Sequence, residues 1–322
     1  MTTRHIALAC LLGVVSGCGG TGSSTSLPAN ATANPPPNQP NPPAQGDLSV
    51  ATILGYLPRD TGIVGRADFR KLRASSHYSE HQALIESQLD HEAVRLFRDE
   101  CRIDIVTAAG SVTVAVPPTD DDDRTVVVIS STVTWPQLHE CVDKLGFEFD
   151  QDGEISIYHN GTEPLYLRWI SDNTFMMTAN PSGHGLHALA DQSGSLMDDP
   201  VLAALVSQTD TAAMVWLAAD TDKARGHMQG ISLVGWIGFF GHAELPGDLS
   251  GRFGLAFDSD SNATNTEAMV RTQLAEAAKQ PMVAPYVGAV SIRKDGTNLL
   301  MDLNLPEGDV RTLLSFAKMA MP

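Results

Sequence analysis

From residue 48 onward, apolar positions recur at helical spacing or in short strand-like runs, and they divide the chain into two successions of elements. In the first, Leu84, Ile85, Leu89, Leu96 and Phe97 fall on one broad face and predict a helix over 79–99. Strands are expected at 112–116 and 125–130, then a helix at 135–146. Strands at 154–159, 165–170 and 174–179 follow, and a helix at 183–191 closes the run. The second run begins with a strand at 212–219. It continues into an apolar stretch that reads as a helix over 222–240. A strand at 251–258, a helix at 265–279, paired strands at 287–293 and 298–305, and a helix at 307–319 complete it. Asp295-Gly296 is a strong hairpin turn signal, and Asp152-Gly153 and Asn160-Gly161 are similar.

Both runs open alike. Asp60-Thr61 leads through an apolar strand to Ala67-Asp68, then Lys71 and Arg73. Asp210-Thr211 leads through a strand longer by two residues to Ala219-Asp220, then Lys223 and Arg225. Either the body is duplicated or two strand-helix starts are alike by chance. The expected fold class is α+β, with two similar lobes at 48–195 and 196–322. Each would be an antiparallel sheet with helices packed on one face.

The front of the chain has a different character. Arg4 and His5 give a weakly basic start, and residues 6–15 form an apolar core of about ten residues, where a bilayer span needs roughly 20. Val15-Ser16-Gly17-Cys18 closes that core with a small residue directly before a cysteine. This layout resembles the signal peptide and lipobox of bacterial lipoproteins. The resemblance implies cleavage after residue 17, a diacylglycerol on the Cys18 sulfur and acylation of the new amino terminus. Cys10 would leave with the leader. Gly19 stands where an aspartate would signal inner-membrane retention, so the resemblance implies the outer membrane. The alternative is an ordinary secretory signal cleaved near the same place. Residues 18–47 then form a tether rich in Gly, Ser, Asn and Pro, which cannot bury enough apolar surface to offset its ordering entropy. As a flexible coil it would average roughly 30 Å end to end. In the body, Leu57-Pro58-x-Asp60-Thr61, Leu72-Arg73-x-Ser75 and Glu100-Cys101 form a pattern similar to uncharacterised bacterial envelope lipoproteins. That likeness implies no activity.

Charge and cysteine usage narrow the function classes. A formal net charge of −17, with no cluster of Lys or Arg, excludes a nucleic-acid partner, because phosphates repel it. Beyond Cys18 only Cys101 and Cys141 remain. In an oxidising envelope compartment they read as one disulfide, the alternative being two buried thiols that never meet. Their spacing excludes a CxxC redox or zinc site.

Candidate chemistry is sparse. Asp120-Asp121-Asp122-Asp123 could gather calcium, but reads better as a solvated hairpin tip that keeps sheet edges apart. Asp258-Ser259-Asp260-Ser261-Asn262 begins like a calcium loop. Ala263 and Met269 stand where the loop needs glycine and glutamate, and Thr264 with Glu267 has capping-box spacing instead. His77 and His81 lie four apart, and His184 and His187 three apart; neither pair has a third metal ligand in view. No Gly-x-Ser-x-Gly elbow, phosphate loop or dinucleotide motif occurs, and no cofactor is expected.

The most unusual body segment is 231–241, apolar on all sides with glycines three apart. Either it packs closely against another element, or it forms an apolar surface or pocket wall. Three readings result. The first is a membrane-anchored, non-catalytic lipoprotein whose body binds or scaffolds another envelope component. The second is a carrier of a lipid or other hydrophobic ligand, with Trp236, Ile237, Phe239 and Phe240 lining its site. The third is a hydrolase with an unrecognised Ser or Asp and His constellation.

Overall fold

A computed structural model describes residues 48–80, 82, 92–118, 124–160, 163–178, 186, 194–227, 233–281 and 283–320. The leader, Cys18, the tether, His81, Asp120 to Asp123, His184 and His187 lie outside the described residues, as does most of the helices expected at 79–99 and 183–191.

In chain order, α1 (Val50–Tyr56), β1 (Ile63–Asp68) and α2 (Phe69–Ala74) come first. Next are α3 (Glu92–Cys101), α4 (Ile105–Ala108), β2 (Ala109–Val116) and β3 (Val126–Ser131). After α5 (Trp135–Lys144) come β4 (Glu148–Asp152), β5 (Ile155–Asn160), β6 (Glu163–Ser171) and β7 (Thr174–Thr178). The second run holds α6 (Pro200–Ser207), β8 (Val215–Asp220), β9 (Trp236–Glu244) and β10 (Leu249–Phe257). It ends with α7 (Asp260–Ala277), α8 (Ala284–Val287), β11 (Val290–Asp295), β12 (Asn298–Leu305) and α9 (Glu307–Ala320).

The fold is α+β, as expected. The strands form one ladder in the order β11-β12-β10-β9-β8-β1-β2-β3-β7-β6-β5-β4, rather than two separate sheets. Every pairing whose register is described is antiparallel. Connectivity repeats on either side of β1 and β8. Outward from β1 the order is β2, β3, then back from β7; outward from β8 it is β9, β10, then back from β12. In each case three successive strands are followed by a helix, and the final strand of the run returns beside the third. The chain also divides into two compact units, and these are discontinuous in sequence. Among the described residues, unit 1 takes those within 48–53, 81–112 and 121–193, and unit 2 those within 54–80, 113–120 and 194–320. Residues 54–80 and 113–120 thus group with the second run, where the sequence division at 195 had set them in the first.

The matched openings of the two runs meet inside unit 2. β1 pairs with β8 from Ile63↔Ala219 to Ala67↔Val215. Asp68 Oδ1 accepts the N–H groups of Arg70 (2.9 Å) and Lys71 (3.3 Å). Asp220 Oδ1 accepts those of Asp222 (2.9 Å) and Lys223 (3.3 Å). The backbone contacts are reciprocal: Asp68 N–H donates to Met214 O (2.7 Å), and Asp220 N–H to Gly62 O (2.9 Å). Lys71 Nζ reaches Ala212 O at 2.6 Å, and Lys223 Nζ reaches Arg59 O at 3.2 Å. Lys223 also pairs with Asp199, whose Oδ1 caps α6 through the N–H groups of Val201 and Leu202. Burial works against ionisation of Asp199, but those hydrogen bonds and the Lys223 charge outweigh it and hold its pKa below the usual carboxylate range.

Two expectations are corrected. The helix read over 222–240 is a 3-10 turn at Ala224–Gly226 followed by strand β9. Trp236, Ile237, Phe239 and Phe240 are residues that suit a pleated surface, and β8 and β10 satisfy the backbone on both sides. The glycines serve close approach. A Cβ at Gly238 would lie 2.4 Å from Leu205 of α6. α7 begins earlier than expected. Ser259 caps it by accepting the Asn262 N–H at 3.3 Å, so Thr264 and Glu267 lie inside the helix and form no capping box. Helices also lie on both sides of unit 2's sheet rather than one. α6 meets Gly238, whose neighbours across the ladder are Asp220 and Ala256. α7 closes a core of Phe257, Ala263 and Leu299 with Leu255 and Ile292, on the opposite face.

Candidate functional site

The register of unit 2 turns short sequence segments into rows across its sheet. One row reads Gly65, Leu217, Gly241, Phe253, Met301, Ile292. A second reads Ala67, Val215, Ala243, Gly251, Leu303, Val290. A third reads Ile63, Ala219, Phe239, Leu255, Leu299, Lys294. These rows alternate with the opposite face, where Arg66, Trp216, His242, Arg252 and Asp302 form a polar row. In a chain with 38 Asp and Glu residues, the three apolar rows contain no carboxylate. Their one charged residue is Lys294, which is paired with Asp260 of α7.

A sheet face that is apolar at nearly every position belongs in an interior. Only part of this one is covered. α7 lies over its β10, β11 and β12 side. Beyond α7, Val215 is 38% exposed and Phe253 39%, while Leu217, Phe239, Met301 and Leu303 are half-buried. Scattered exposed apolar side chains need no explanation, but a contiguous sheet of them does.

The four residues singled out in sequence divide between environments. Phe239 belongs to the apolar face, where it is half-buried, and Ile237 lies unpaired with β10 at the register shift between Gly238 and Trp236. Trp236 is half-buried against the Phe257 and Leu299 core, its ring 6.1 Å from that of Phe239 and its indole N–H donating to Gly238 O at 2.8 Å. Phe240 points the other way. It is 2% exposed, and its ring covers Gly254, where a Cβ would lie 2.2 Å from Cζ. Phe240 is therefore core and cannot line a site shared with Phe239. A separate groove of about 390 Å³ runs between α7, α8 and β11, lined by Arg271, Leu274, Val287 and Ile292 among others. It includes none of the four.

In unit 1, Cys101 at the end of α3 and Cys141 in α5 form a disulfide, with Cα atoms 5.2 Å apart and a sequence separation of 40. α5 starts on a capping box between Thr134 and Gln137. Beside it lies an aromatic cluster that sequence inspection missed. Trp135 stacks on His139 at 4.9 Å, and His139 meets Phe149 edge-on at 4.7 Å. Tyr158 is 5.4 Å from Phe149. Burial pushes the Tyr158 phenol up to about 12, against the opposing influence of Ser156, Trp169 and Trp135. Burial also lowers the His139 pKa, with Asp143 pulling the other way.

Among the described residues no group of three candidate metal ligands forms. His77 is buried, with Nε2 on Gly247 O at 2.5 Å. The start of the calcium-like loop is a helix cap, in which Asn262 Nδ2 also donates to Asp258 Oδ1 at 2.7 Å. His227 and His242 meet backbone groups, Pro117 O and Asp210 N–H respectively. No helix among the described residues is long and apolar enough to cross a membrane.

No protein-family model matches the chain, and no curated protein matches it. Among solved structures it is similar to TP0453 in crystal form III, at 10% identity and a TM-score of 0.43, covering 81% of this chain and 97% of that one. The likeness to crystal form IV of TP0453 has 10% identity and a TM-score of 0.44, covering 81% and 96%.

Proposed function

We propose that the protein is a lipid-anchored component of a bacterial cell envelope, held at the outer membrane through acylated Cys18. Its body binds or scaffolds another envelope component and carries no catalytic residue. The observation that carries this reading is the apolar run 6–15 closed by Val15-Ser16-Gly17-Cys18 and followed by a Pro- and Asn-rich tether. The Cys101–Cys141 bridge supports an oxidising location. Two or more acyl chains give stable anchoring, since each buried methylene contributes about 0.8 kcal/mol. Mass spectrometry of the mature amino terminus tests the anchor. A diacylglyceryl, N-acylated Cys18 is expected; an unmodified terminus elsewhere, or an uncut leader, overturns it.

The carrier reading keeps the exposed Ile237 and the half-buried Phe239, and gives up Phe240. Native mass spectrometry of protein taken from its own envelope separates the two readings. A co-purifying lipid favours the carrier.

A further inference from the structure

We infer that Arg271 and Lys294 guard the outer edge of β11, and so keep unit 2's sheet from pairing edge to edge with a second copy of this chain. The inference concerns the sheet edge and is independent of the anchor and binding readings above.

β11 ends the ladder, so one of its two sides pairs with β12 and the other with no strand. The register shows which groups face outward. Asn304 N–H donates to Ala289 O at 2.9 Å, which fixes where the hydrogen-bonded pairs fall. Such pairs alternate in an antiparallel ladder, so Ser291, Arg293 and Asp295 bond to β12. Val290, Ile292 and Lys294 turn their N–H and C=O groups away from it. An edge of this kind is a template for another strand. Val290 and Ile292 are β-branched, and Ile292, Val290 and Lys294 end the three apolar rows of the sheet. A second β11, antiparallel and centred on Ile292, would use all three outward positions and carry the rows into the second copy. Two-fold symmetry would close that pair as a dimer.

Two cations oppose this pairing. Arg271 of α7 donates Nη2 to Ile292 O at 2.7 Å, the acceptor that the second copy's Ile292 N–H would use. Glu267, one turn earlier in α7, holds the guanidinium there, accepting from Nε at 3.0 Å and Nη2 at 2.8 Å. Lys294 is half-buried, the one charged residue of the three rows, and pairs with Asp260 at the start of α7. In the centred register each Lys294 would lie opposite the second copy's Val290, and closing the edge would strip water from its charge. A charge turned toward the apolar face of an edge strand resists strand addition for this reason. Both carboxylates that fix the cations belong to α7, so the helix that closes the core of Phe257 and Leu299 also closes the edge.

The test removes both guards in the full chain with Arg271→Met/Lys294→Val. Sedimentation velocity in nonionic detergent, with micelles in excess over chains, reads the oligomeric state. The parent should stay monomeric. The variant should dimerise with an affinity roughly tenfold or more above the parent's. In the dimer, hydrogen exchange should slow at the amides of residues 290, 292 and 294. Adding Val290→Pro removes an outward N–H and no bond to β12, and should restore the monomer. Arg98→Met/Arg225→Met makes the same change of charge at exposed positions outside β11 and α7, and should stay monomeric. Should the double variant fail to fold, Arg271→Met alone, at an exposed helix position, carries the same expectation. A variant that stays monomeric at every concentration overturns the inference. So does association that leaves those amides unprotected or survives Val290→Pro, equal association of the control, or a parent that already pairs through β11.

Discussion

Phe239 and Phe240 are adjacent and occupy opposite environments, because successive side chains of a strand point to opposite faces. Phe240 fills the core over Gly254, and Phe239 is half-buried on the other face. Phe240→Ala should therefore destabilise the protein by about 3–5 kcal/mol. Phe239→Ala should cost much less, and urea denaturation of the two variants measures the contrast. Tyr158 offers a pH test. Its folded pKa is raised to about 12 by burial, so the folded state holds this proton more tightly than the unfolded chain does. Stability from this group is complete below the unfolded value of about 10 and is lost as pH rises from there toward 12, by on the order of 2 kcal/mol. Denaturation at pH 9 and pH 11.5 should show a larger fall for the wild type than for Tyr158→Phe. At this scale sequence inspection separated poorly, because the identity of Phe240 says nothing about which way it faces until β9 is known to be a strand.

Among the elements, β1 and β8 show how much a short repeat can specify. The two aspartates, Asp68 and Asp220, each cap the turn that follows their strand, and each strand's terminal N–H reaches the start of the other. This local twofold pattern accompanies the repeated strand order. The Asp-Thr to Ala-Asp likeness was legible in the chain, and so were the Asp152-Gly153 and Asp295-Gly296 turns, whose glycines have φ of 60° and 58°. The short helices α1, α4 and α6 and the strand β4 were not anticipated, being too brief to show a period. The disulfide was anticipated from cysteine count and compartment. Since it closes a separation of 40 residues, its removal should cost about 4 kcal/mol in the chain-entropy model. Thermal melts of Cys101→Ser/Cys141→Ser against the parent check this, and an unchanged melting temperature would refute the stapling role.

For the whole molecule, the proposed anchor can be tested apart from the folded body. The proposed anchor rests on Cys18 and its leader, so Cys18→Ala should move the protein from the membrane pellet to the soluble fraction while the melting temperature of the body stays the same. Fractionation followed by immunoblotting reads this out. The three apolar rows of unit 2's sheet hold no carboxylate, in a chain whose formal net charge is −17.

The sequence by itself determined the class of fold, the cysteine pair and the Asp152-Gly153 and Asp295-Gly296 turns, because each depends on residues close together or on composition. The direction of β9, the burial of Phe240 and the existence of an open apolar face were decided only by tertiary structure. A strand is completed by hydrogen bonds to distant strands, and its faces acquire meaning only when the register sets Leu217, Gly241, Phe253 and Met301 side by side.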